Sequence, residues 1–181
     1  MEKAKVFFTD FRTPAGGDGL PTKLKKLIRK AGIGEIDMEG KFVAIKMHFG
    51  ELGNISFLRP NYARAVVDVV KEFGGKPFLT DCNTLYPGSR KNALEHMYCA
   101  WENGFTPLTV GAPIIIADGL KGTDDVAVPV EGGEVVTEAR VGRAPAVAGM
   151  SCCRTAAYCD GSAEGRRLGG GRDRLKYGAM A

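Results

Sequence analysis

The stretch from Lys41 to Pro60, KFVAIKMHFGELGNISFLRP, constrains the fold of this chain more than any other. Phe42, Val43, Ala44 and Ile45 form a near-continuous apolar run, the pattern of a strand covered on both faces by helices. That strand, read from Phe42 to Met47, runs into a polar loop, His48 to Ser56, which sets Gly50 and Gly53 among His48, Glu51 and Asn54. Arg59 closes the loop, and Pro60 opens a helix, since a proline at the first helical position forfeits no hydrogen bond. In open α/β sheets ligands lie beyond the carboxyl ends of the strands, so a site is expected here first.

The rest of the chain repeats the same alternation. Ala4 to Phe8 (AKVFF) reads as a first strand ending at Thr9, Asp10 and Arg12. A helix is predicted from Pro21 to Ala31, with Leu24, Leu27, Ile28 and Ala31 on one face and Gly32 as its stop. Its lysines and Arg29 read as a solvated face. The helix opened by Pro60 carries Tyr62, Ala63, Val66, Val67, Val70 and Phe73 at helical spacing and ends at Gly74-Gly75. A third strand, Lys76 to Thr80, delivers Asp81, Asn83, Thr84 and Tyr86 into a loop. Ser89 is placed to cap a helix through about Asn103, with Ala93, Leu94, Met97, Tyr98 and Trp101 inward and His96 as a surface or structural residue. Pro113 to Ala117 is a buried strand ending at Asp118-Gly119, and VAVPV and EVVTEARV flank Glu131-Gly132-Gly133 as a β-hairpin with Pro129 at an edge. The pattern predicts an α/β fold: a mostly parallel sheet with helices on both faces, plus a β-hairpin.

At 181 residues the chain suits one α/β domain, read as residues 1–146, with a tail over 147–181. After Val147 no Val, Ile or Phe occurs, and Gly169-Gly170-Gly171 interrupts a run rich in arginine and alanine. The tail is therefore expected to be irregular or disordered. A net charge of +4 is too mild to argue nucleic acid, and the Lys23 to Lys30 helix brings no stacking aromatics. No apolar run approaches the roughly 18 residues of a membrane span, and no signal peptide is seen, so a cytoplasmic location without membrane contact is expected. The five cysteines form no C-x-x-C pair, which leaves no zinc or cluster motif and no metal site to assign.

Four strand ends deliver polar side chains to one edge of the predicted sheet: Asp10 and Arg12; His48, Glu51 and Asn54; Asp81, Asn83, Thr84 and Tyr86; and Asp118. Carboxylate, imidazole, amide and guanidinium groups in such a set can bind an anion or a metal, or move a proton. His48, Asn54, Asp81, Asn83 and Asp118 are expected to border one cleft, with Arg59 or Arg12 at its rim as an anion contact. The loop H-F-G-E-x-G-N is neither a P-loop nor a G-x-G-x-x-G fingerprint, and no catalytic residue can be assigned from it.

Several long motifs stand in a fixed order: KFVAIKMHFGELGNISFLRP, GGKPFLTDCNTLYPGSRKNALEH, ENGF and GAPIIIADGLKG. Together, over roughly Val6 to Ala146, they closely resemble the domain of unknown function 362 family, whose members are described as ferredoxin-like or iron–sulfur proteins. Within them fall His48, Gly50, Glu51, Asn54, Arg59 and Pro60, then Asp81, Asn83, Thr84, Tyr86 and Arg90, then Asp118 and Gly119. The resemblance implies a redox-linked α/β domain, with a ferredoxin module or other electron-transfer partner and a 4Fe–4S cluster in fuller members. Those members continue with an L-S-H-F-K-G-H segment, a G-G-A-x-K-N-x-G-M-G motif and paired four-cysteine runs, none of which stands here. No cofactor is therefore expected in this chain. Gly149 to Thr155 can be encoded so that another frame reads Asp-Val-Leu-Leu-Ser-His, close to the family's continuation, and the tail is read as a frame-shifted translation. Three functional readings stand at this point: a truncated redox domain, an enzyme or binder of a small anionic ligand or metal at the strand-end loops, and an inactive truncated product.

Overall fold

The computed structural model describes residues 5–130, 135 and 137–147. Three parallel strands, β1 (Phe42–Lys46), β2 (Lys76–Asp81) and β3 (Ile114–Ile116), form a sheet in the order β1-β2-β3. A second sheet pairs β4 (Asp125–Pro129) with β5 (Glu138–Gly142) antiparallel. Helices α1 (Leu20–Lys30), α2 (Pro60–Glu72), α3 (Ala93–Glu102), α4 (Pro107–Val110) and α5 (Arg143–Val147) complete the described elements. The mostly parallel α/β organisation with its separate hairpin follows the alternation of the sequence. The predicted turn at Glu131–Gly133 lies outside the described residues, as does the tail over 148–181 with its irregular, frame-shifted reading. Among the described residues no helix is long and apolar enough to cross a membrane.

The parallel register sets one face of the sheet. Ile45 lies beside Leu79, and Leu79 beside Ile114, so these side chains share a face with Val43 and Ile116. Leu79, Ile114 and Ile116 meet Ala63 and Val67 of α2, Ala100 of α3, and Phe49 and Phe105 in one core. Met38, Val43 and Val70 form a second cluster beside it, joined by Ile33, Ile36 and Phe73. Each fully buried Val, Leu, Ile or Phe contributes about 1.5–3 kcal/mol, so this face holds the sheet and its helices together. The register also aligns the strand ends. Met47 N–H donates to Thr80 O (3.1 Å) and Ala117 N–H to Asp81 O (2.9 Å), so the segments after all three strands leave from one edge.

Three expectations are corrected. Residues 5–8 form no strand, and Val6 and Phe8 are 89% and 83% exposed. Asp10 is instead paired with Lys23 of α1 and with Arg12, whose carbonyl also accepts from Lys23 (3.0 Å), which fastens this segment to the start of α1. Helix α3 is capped by Asn92, which accepts from Glu95 N–H (3.0 Å), and begins after Ser89 rather than at it. Its buried residues are His96, Cys99 and Ala100, whereas Leu94, Tyr98 and Trp101 are exposed. The hairpin is tied to the end of β3. Ala144 N–H donates to Ala117 O (3.2 Å), and a Cβ on Gly142 would meet Ala117 Cβ at 2.7 Å.

Candidate functional site

The loop after β1 is shaped by Gly50. Its φ of +84° is left-handed, and a Cβ there would lie 2.7 Å from Asn103 Nδ2 and 2.8 Å from Phe57 Cδ1. This close approach lets Gly50 N–H donate to His48 Nδ1 (2.9 Å) and Cys99 Sγ donate to Gly50 O (3.4 Å). A neutral His48 therefore carries its proton on Nε2, which makes no hydrogen bond among the described residues. His48 is exposed, but desolvation of its packed side, then the charge of Arg90, lowers its pKa from the ordinary value.

Glu51, next in the loop, is the anchor for the loop after β2. Arg90 donates to it through Nε (2.8 Å) and Nη2 (2.5 Å), Tyr86 OH at 2.7 Å and Ser89 Oγ at 3.1 Å. Burial pushes the Glu51 carboxyl up, but the Arg90, Tyr86 and Ser89 hydrogen bonds outweigh it and hold the pKa at about 2. Arg90 is buried and turns its Nη1 to Asp81 Oδ2 at 3.3 Å. Desolvation would lower the Arg90 pKa, yet Glu51 and Asp81 raise it above its ordinary value. The guanidinium is thus fully engaged with two carboxylates. It clamps the β1 and β2 loops together.

Asp81 is the centre of the cluster. Its Oδ1 accepts from Cys82 N–H (2.9 Å) and faces Lys46 Nζ at 3.6 Å, and its Oδ2 faces Arg90 and, at 3.6 Å, His96 Nε2. From β3, Asp118 accepts from Asn83 N–H (3.0 Å) and Asn83 Nδ2 (3.0 Å), and Nδ2 also donates to Gly119 O (2.8 Å). Desolvation raises the Asp118 pKa against the effect of those bonds. Gly122, with φ +74°, crosses close over this pair, where a Cβ would be 3.2 Å from Asp118 Oδ2.

His48, Glu51, Asp81 and Tyr86 are therefore brought together, and Asn83 is joined to Asp118 beside them. Thr84 serves the shape of its own loop, its N–H donating to Arg90 O (2.9 Å) and its hydroxyl to Tyr86 O (3.2 Å). Asn54 accepts from Ser56 N–H (2.8 Å) within its exposed turn. Arg59 lies over the Phe57 ring at 5.3 Å, while Asp10 and Arg12 bond each other and Lys23. No hydrogen bond or ion pair joins these last three to the cluster. Ser89, Lys46 and His96 lie outside the candidate site residues read from the sequence, and Arg90 stands there only as a residue of the family motif. For His96 a usable signal existed, since positions 93, 96, 97 and 100 share one face of a helix.

Among the described residues no group of three or more His, Cys, Asp or Glu side chains could hold a metal ion. A 4Fe–4S cluster takes four thiolates. The described residues offer Cys82 and Cys99, and Cys99 is buried and hydrogen-bonded to Gly50, so this donor set does not fit such a cluster. Cys152, Cys153 and Cys159 lie outside the described residues.

A family model described as Domain of unknown function (DUF362) matches residues 43–151, more than half of the chain. No curated protein and no solved structure matches it.

Proposed function

The chain belongs to the Domain of unknown function (DUF362) family, and on that footing we propose that it binds a small anionic ligand beyond the carboxyl ends of β1, β2 and β3. One observation carries this reading. The loops of parallel strands meet in a charge cluster whose carboxylates and guanidinium satisfy one another, while two donors, Lys46 Nζ and His48 Nε2, have no hydrogen-bond partner among the described residues. Lys46 is held 3.6 Å from Asp81 Oδ1, beyond hydrogen-bond range, and remains able to turn to an anion. His48, neutral because its pKa is lowered, can add an Nε2–H hydrogen bond without adding charge. Glu51 and Arg90 hold the two loops at fixed spacing, so the donors need little reorganisation when a ligand arrives.

An electron-transfer role beside a ferredoxin module remains the reading suggested by the family resemblance. Anion binding by Lys46 and His48 needs no cluster. Thermal-shift and calorimetric titrations with inorganic phosphate, pyrophosphate, sulfate and small carboxylates test the proposal. At least one anion should raise the melting temperature, and Lys46→Met and His48→Ala should each weaken its binding roughly tenfold or more, the loss of one charge-assisted bond. A full panel without a shift, or variants that bind as the wild type does, would sink it.

A further inference from the structure

Three buried side-chain atoms among the described residues have no hydrogen-bond partner: His96 Nδ1, His96 Nε2 and Asn83 Oδ1. Two of the three belong to one ring. His96 has no exposed surface and packs edge-on against Phe49, with ring centroids 5.8 Å apart. An unpaired buried polar group costs about 1–3 kcal/mol, so an apolar side chain would fill this place better. The ring also lies in a charged setting. Asp81 faces it from β2 at 3.6 Å, Asp118 acts on it from the loop after β3, and Arg90 shares its Asp81 oxygen from the loop before α3. Beyond Asp81, the β1 side contributes Lys46, His48 and Glu51.

We propose that His96 is a positioning residue for Asp81 and the group that takes up a proton when an anion engages Lys46. This rests on the anion-binding reading above. Asp81 divides its neighbours: Cys82 N–H donates to Oδ1 and the Lys46 ammonium faces it, while Arg90 donates to Oδ2 and His96 faces it. The His96 Nε2 to Oδ2 separation exceeds a hydrogen bond by roughly half an ångström, so a small rotation closes it. An anion that draws Lys46 away removes a cation from a carboxylate that stays buried. The neutral ring then donates Nε2–H to Oδ2, and Nδ1 accepts one proton from solvent. Only an N–H bond forms, and no electrons are transferred. Anion binding is thereby linked to uptake of one proton, and affinity falls as pH rises.

The first test needs no ligand, because Lys46→Met reproduces the loss of the ammonium from Asp81. Imidazole nitrogen NMR on the full chain should show wild-type His96 as the Nε2–H tautomer. In Lys46→Met the ring should be largely protonated at a pH where the wild-type ring is neutral, and in Asp81→Asn the tautomer preference should be lost. Ring signals unchanged across the three proteins would overturn the assignment. Calorimetry with inorganic phosphate in two buffers of different ionisation enthalpy should then report uptake of about one proton. His96→Gln should retain phosphate binding and lose that uptake, and uptake that persists in this variant overturns the linkage. Absence of binding by phosphate, pyrophosphate, sulfate and small carboxylates alike overturns the linkage together with the reading beneath it, while the NMR comparison independently decides the His96–Asp81 contact.

Discussion

At the scale of single residues, Glu51 and Arg90 set how the cluster responds to acid and to mutation. The Glu51 pKa falls from 4.5 to about 2 on folding. A group whose pKa is depressed contributes its full stabilisation above the unfolded value and loses it as pH falls through the folded one. Glu51 should therefore stabilise the protein above pH 4.5 by about 3 kcal/mol at most, and that contribution should vanish as pH approaches 2. Urea melts across this window should show a flatter acid limb for Glu51→Gln than for the wild type; parallel limbs would count against the assignment. Arg90→Met leaves Glu51 and Asp81 without their shared cation and should cost about 3–5 kcal/mol in the same melts at neutral pH. The sequence disclosed the acids of this cluster more readily than its bases. Asp81, Asn83 and Asp118 follow buried strands directly, where a polar residue marks the sheet edge. Arg90 lies nine residues beyond Asp81 in a loop, and nothing local shows that its guanidinium turns back.

At the scale of elements, the loop after β1 and the face of α3 decide the site. Gly50 has to be left-handed and also has to lie against Asn103 and Phe57. Gly50→Ala should lower stability by about 1–3 kcal/mol. It should also weaken anion binding, because the N–H that fixes the His48 tautomer moves with it. A variant that loses stability but keeps wild-type affinity would show that this hydrogen bond does not matter for the ligand. The loop was legible because two glycines among polar residues after an apolar run read as a strand end. Helix α3 was misread for a physical reason. Leu94, Tyr98 and Trp101 make the more hydrophobic stripe, with Tyr98 and Trp101 in an edge-on pair at 5.2 Å, yet that stripe is exposed. The buried face carries small or polar residues, His96, Cys99 and Ala100. Close approach of α3 to the Gly50 loop favours small side chains there, through contacts that periodicity within the helix does not reveal.

At the scale of the whole molecule, the three-stranded sheet makes β1 an edge strand among the described residues. The bonds at either end of the β1–β2 pair are Lys76 N–H to Lys41 O (2.7 Å) and Met47 N–H to Thr80 O (3.1 Å). They fix the odd-numbered residues of β1 as those bonded to β2, since bonding direction alternates along a parallel strand. The amides of Val43 and Ile45 then face β2, and those of Ala44 and Lys46 face outward. Residues 5–8 have the composition of the missing neighbour, yet they are fastened near α1 through Asp10 and Lys23. The sequence alone could not separate these outcomes, because an apolar run does not show whether the residues beside it, here Asp10 held by Lys23, fasten it at the open edge or away from it. Native-state hydrogen exchange can separate them. Val43 and Ile45 amides should exchange at least roughly tenfold more slowly than those of Ala44 and Lys46, as a paired and an open row of one strand would. Equal protection of all four would mean that another segment covers this edge in solution, and the N-terminal run would be the first to examine by replacing Val6 or Phe8 with proline. Lys46 belongs to the outward row and also supplies the ammonium facing Asp81, so a strand added there would narrow its freedom to reach an anion. Rapid exchange at Lys46 and undiminished anion binding should therefore be found together.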